Sequence, residues 1–145
     1  MKIEKEFVVQ AWDESARHKT IDFWSRKQIV FSETGERQFI GKRGNLWGNL
    51  SSFDMSKIMA KITITVSEQN EVRCVLEINP VMQKITEWNK AWWDLEMDSF
   101  ATFLLQNDEQ VEKWQEFLPQ YYKAARVWMS TAGLKGNKIP PKENR

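Results

Sequence analysis

The strongest constraint on this chain is a change of hydrophobic period at Asn79–Pro80. Before it, AKITITV (60–66) places Ile62, Ile64 and Val66 on one side and Lys61, Thr63 and Thr65 on the other. VRCVLEI (72–78) repeats the pattern with Val72, Cys74, Leu76 and Ile78. Such alternation marks a strand with one buried face. SEQN (67–70) is a hairpin link of ordinary length. Proline restricts its predecessor and lacks a backbone donor, so it ends the sheet region. Beyond it, apolar residues recur at helical spacing. Strands first and helices last define an α+β chain, with an antiparallel sheet packed on one face by a helix.

The remaining elements follow by the same reasoning. IEKEFVVQAW (3–12) reads as a first strand with Phe7, Val9 and Ala11 on one face. Asp13 is placed to cap a short helix, after which Ile21, Phe23 and Trp24 return the chain to the core. QIVFS (28–32) and RQFIGK (37–42) form a hairpin turning near Thr34–Gly35. The expectation is five to six strands, with hairpins over 28–42 and 60–78 and a short helical turn from Ser52 or Asp54 to Ile58. Two C-terminal helices follow, about 82–106, packed on the sheet, and about 108–131, capped by Asn107 or Asp108. Val111, Trp114, Leu118, Tyr121, Ala125 and Trp128 stripe the second, and Pro119 is expected to kink or restart it. Residues 1–132 read as a single domain, and 133–145 as a basic, mobile tail without a periodic apolar face.

This order of elements, from residue 3 to 106, resembles the helix-grip arrangement of START-like lipid-binding domains. The resemblance rests on topology and on no sequence motif. It implies a cavity between sheet and long helix. The second long helix departs from the pattern.

The 145 residues suffice for a core without disulfides, and the single cysteine, Cys74, excludes an intramolecular one. MKIEKEFVVQAW carries charges where a signal peptide needs an apolar stretch, and no apolar run reaches the length of a membrane span. The expectation is a soluble, cytoplasmic protein. A net charge of +1 gives no case for a nucleic-acid partner. The charges are unevenly placed, however. Residues 37–67 hold five bases (Arg37, Lys42, Arg43, Lys57, Lys61) and one acid, whereas 87–112 hold seven acids and one base. These segments read as solvated faces, or as parts of one fold that attract each other.

GKRGNLWGNLSSFD (41–54) has three glycines, two cations and a tryptophan. It lacks the lysine-serine or lysine-threonine spacing of a phosphate loop, and no helix opens directly behind the glycines. It reads as a sheet bending, where glycine marks a bulge or a close backbone approach. No metal or cofactor site is expected, because His18 is the only histidine and Glu87, Asp94 and Asp98 read as a solvated helix face. Cys74 reads as a small buried hydrophobe, and no catalytic set emerges.

The informative stretch is EWNKAWWDLEMDSFATFLL (87–105). Projected at ~100° per residue, Trp88, Trp92, Trp93, Phe100, Phe103 and their apolar neighbours cover an arc of about 200°. Glu96 and Asn89 fall in the middle of it, two turns apart on one seam. A buried carboxylate has to be paired, strongly hydrogen-bonded or protonated. Arg43 and Arg37 are the expected donors. Glu96, Asn89, Trp88, Trp92 and Arg43 are therefore the candidate site for an apolar or amphipathic small molecule. The expected function is a non-enzymatic ligand-binding domain. The alternative is a protein-interaction or structural module with a filled, tryptophan-rich core.

Overall fold

The computed structural model describes residues 1–45, 54–79 and 84–131, with side chains up to 126. Trp47, Gly48 and the tail 133–145 lie outside the described residues. The chain divides into two compact units, Met1–Glu109 and Gln110–Arg145.

The first unit is an α+β fold in the order β1 (Lys2–Val8), α1 (Glu14–Arg26), β2 (Val30–Thr34), β3 (Gln38–Arg43), β4 (Ala60–Val66), β5 (Glu71–Ile78) and α2 (Glu87–Gln106). A 3-10 turn, Met55–Lys57, precedes β4. The five strands form one antiparallel sheet in the spatial order β1-β5-β4-β3-β2. Both expected hairpins are present, and Ile62, Ile64, Val66, Val72, Cys74, Leu76 and Ile78 are all buried. Asp13 caps α1 by accepting the Ala16 N–H at 2.9 Å. The first strand is shorter than its apolar pattern suggests. It ends at Val8, and Ile3, Lys5 and Phe7 form its half-buried face. Val9 is buried beyond the strand, whereas Ala11 is exposed.

Helix α2 lies on the inner face of the sheet. Phe100 meets Phe7 edge-on at 5.7 Å between centroids, and Phe23 and Trp24 of α1 at 5.5 and 5.4 Å. The Met97 sulfur lies 3.7 Å from the Cys74 sulfur. Trp93, Phe100, Phe23, Trp24 and Phe39 are fully buried. Each such side chain contributes roughly 1.5–3 kcal/mol by leaving water.

The start of α2 and the role of Asn107 differ from the sequence reading, whereas the helix ends at Gln106 as expected. The helix begins at Glu87 rather than near 82, because Thr86 and Asn89 make a reciprocal cap. Asn107 closes α2 instead of opening the next helix. It adopts the left-handed conformation (φ 57°), and its N–H returns to the carbonyls of Phe103 and Thr102.

In the second unit, α3 runs from Val111 to Thr131 and is continuous through Pro119 rather than restarted by it. Its own aromatics meet along it, Trp114 edge-on to Phe117 at 5.9 Å and Phe117 tilted against Tyr121 at 5.7 Å between centroids. Tyr121 is buried, but Val111, the first residue of the expected stripe, is exposed.

Two titratable groups on these elements yield measurable consequences. Burial pushes the Cys74 thiol well above its ordinary value, and the negative charge of Glu96 adds to the effect. Native protein should therefore react slowly with a thiol reagent across pH 8–9, where an exposed thiol would accelerate, and quickly once denatured. Fast labelling of the folded protein would contradict the register of β5.

Asp94 sits on the outer side of α2 with its pKa raised, first by burial and then by Asp98, while Lys5 opposes the shift. A raised carboxyl value means that folding is favoured most below the unfolded value and loses that advantage as pH rises through the folded one. Asp94→Asn should therefore be more stable than the native chain at neutral pH, with the difference vanishing in acid. Equal melting temperatures at both pH values would refute this.

Candidate functional site

The site is assembled by strand alternation and helix pitch. In β3, Phe39, Gly41 and Arg43 alternate inward while Lys42 points outward. Gly41 is required here. A Cβ at this position would stand 2.5 Å from a side-chain carbon of Ile29 and 3.1 Å from a ring carbon of Phe31. Gly44 follows in the left-handed region (φ 80°), and a Cβ there would meet the Ile58 backbone at 2.4 Å. The two glycines serve close backbone approach, as the bending-sheet reading expects.

Arg43 thus enters the helix–sheet layer at the end of its strand, and α2 brings Glu96 to the same point. Nη1 donates to Glu96 Oε2 at 2.9 Å, and Nη2 to Oε1 at 2.5 Å. Nη1 also donates to the Lys27 carbonyl at 3.0 Å, so one guanidinium joins α2 to the segment after α1. The two side chains are 0% and 1% exposed. The parallel fork is the strongest pairing available to a carboxylate. It is not fully satisfied, since the Arg43 Nε–H has no acceptor among the described residues, and neither does the buried Trp24 Nε1–H.

The other candidate residues divide by role. Asn89 is buried, but its amide oxygen accepts the Thr86 N–H at 2.8 Å and its backbone N–H reaches the Thr86 hydroxyl at 3.1 Å. Its polar group therefore serves the start of the helix. Trp92 is buried, whereas Trp88 is 37% exposed at the outer end of the arc. Arg37, the alternative donor, turns away and donates to the Ser67 carbonyl at the opposite end of the sheet. The acidic helix face is split. Lys90 pairs with Glu87 at 3.2 Å and Lys5 with Asp98 at 2.7 Å, both in partly exposed positions of little energetic weight.

Neither a family model, nor a curated protein, nor a solved structure matches this chain. The helix-grip resemblance stays one of element order. Among the described residues, no three His, Cys, Asp or Glu side chains are placed to hold a metal ion, and no helix is long and apolar enough to cross a membrane.

What sequence reasoning passed over is the outward partner of Arg43. Lys42 faces Lys61 directly across β3 and β4. The alternation of AKITITV and the basic run 37–67 both carry that signal.

Breaking a buried pair strands the surviving charge, so Glu96→Ala should lose roughly 3–5 kcal/mol. Replacing both partners, Arg43→Met with Glu96→Leu, should recover most of that loss. A double-mutant cycle by chemical denaturation measures the coupling, and a value below ~0.5 kcal/mol would show that the two side chains act independently.

Proposed function

We propose that this protein is a non-catalytic protein-interaction module whose helix–sheet interior is structural and whose contacts are made from its outer surface. One observation carries the reading. Glu96, the carboxylate set among the aromatics of α2, has both oxygens engaged by Arg43. A small-molecule pocket keeps a few convergent polar groups available for its ligand. Here that group is committed to the fold, and the aromatics around it are in contact with one another. Catalysis would need a second titratable group beside Glu96 in an open cleft. Cys74, whose thiol senses the charge of Glu96, is fully buried.

The competing reading is a pocket for an apolar or amphipathic molecule beside Trp88, Trp92 and Glu96. Titration with fatty acids, a retinoid-like probe and a hydrophobic dye separates the two. A structural interior should give no saturable change in tryptophan emission. Saturable binding that disappears in Trp92→Ala would replace the surface reading with the pocket.

A further inference from the structure

We infer that the end of the sheet where β1 and β4 begin and β3 and β5 end is a docking groove for an extended acidic segment of a partner protein. The inference rests on the surface-interaction reading and adds the chemistry of the partner. Strand register aligns one row across the outer face: Val30, Lys42, Lys61, Glu77 and Lys2 are successive cross-strand neighbours. The row holds three cations and one acid, and that acid lies 3.9 Å from Lys2. The side chains of Lys42 and Lys61 are exposed and make no hydrogen bond or ion pair with any described residue. Like charges directly opposite on neighbouring strands are destabilising. A sheet selected for stability alone would place a carboxylate at one of the two positions, as it does where Arg73 meets Glu4 and Glu6 near the other end.

The same residues line a concavity. An open groove of about 410 Å³ is bounded by Lys2, Lys42, Lys61 and Glu77, together with Met1 and Met59. Spacing selects the occupant. Adjacent strands are ~4.8 Å apart, so Lys42 and Lys61 can share one anion, but Lys2 stands two strands further, ~10 Å beyond Lys61. A single phosphate-sized ion would have to draw all three side chains to one point, and Lys2 is already beside Glu77. An extended peptide with acidic side chains and an intervening apolar one can reach all three. Among the described residues, the groove lining holds no aromatic on which a base could stack, as a single-stranded nucleic acid would require.

The test is a fluorescence-anisotropy titration of the full chain with a short labelled peptide of glutamate and aspartate interrupted by leucine. Inorganic phosphate and phosphatidylserine-containing vesicles form separate arms. The expected result is saturable peptide binding that weakens with salt and by roughly tenfold or more in Lys42→Glu/Lys61→Glu. Gln38→Glu/Thr65→Glu, in another row of the same face, should bind with much less change. The substituted positions are exposed, and melting curves verify that each variant is folded. Absent peptide binding, equal binding by the lysine variant, or binding of phosphate or vesicles in place of peptide would each overturn the inference. Those outcomes leave the interior as the dye titration finds it, so the two readings fail separately.

Discussion

The bidentate contact between Arg43 and Glu96 is the interaction on which the arrangement of this fold depends. It ties the last residue of β3 to the centre of α2, and through the Lys27 carbonyl to the turn after α1. Three segments that meet otherwise through apolar contact are thereby given one common point. Aromatic surfaces tolerate sliding and rotation, whereas a planar fork accepts one geometry. Burying two charges is costly, and well-packed apolar residues of similar volume often do as well or better. The hypothesis that follows is that the pair selects a single rotational setting of α2 on the sheet more than it adds net stability.

The dipeptide Lys42–Arg43 shows how strand geometry divides labour between neighbours of like charge. Alternation sends one cation into the core and the other to solvent. The inner one meets its carboxylate. The outer one lies between Val30 and another lysine across the ladder. Gly41 just before them and Gly44 just after remove the side chains that would obstruct Ile29 and the Ile58 backbone. The short basic, glycine-containing stretch therefore serves packing on one face and leaves unneutralised charge on the other.

Much of this was legible in the residues. Alternation gave the inner faces of β4 and β5, and the helical projection put Glu96 among aromatics, because both depend only on the period of the backbone. Arginine as the partner followed from the cost of a lone buried charge. Arg43 entered the candidate site ahead of Arg37, but strand parity does not separate the two, and what decides between them is which end of β3 lies beside Glu96. The start of α2 was readable in principle from Thr86 and Asn89, which carry the spacing of a reciprocal cap. Asn89 instead looked like part of a polar seam. Asn107 misled because asparagine both opens and closes helices, and backbone handedness alone distinguishes the two. The cross-strand lysines required the register of β3 on β4, which no single segment encodes.

The order β1-β5-β4-β3-β2 has a consequence for how the chain reaches its folded state. β2 to β5 form a meander of successive neighbours, whereas β1 pairs only with β5, whose residues emerge about 70 positions later. Contacts so distant in sequence form late, because closing the intervening loop costs entropy before any pairing rewards it. During synthesis the first strand must wait, and β5 exposes an unpaired edge until that strand arrives. An unpaired edge of this kind is a template for pairing with another chain. Its inner residues are Val72, Cys74, Leu76 and Ile78. The alternating charges of β1, Lys2, Glu4, Lys5 and Glu6, keep the waiting strand hydrated and discourage it from joining a neighbour's sheet before its own is complete.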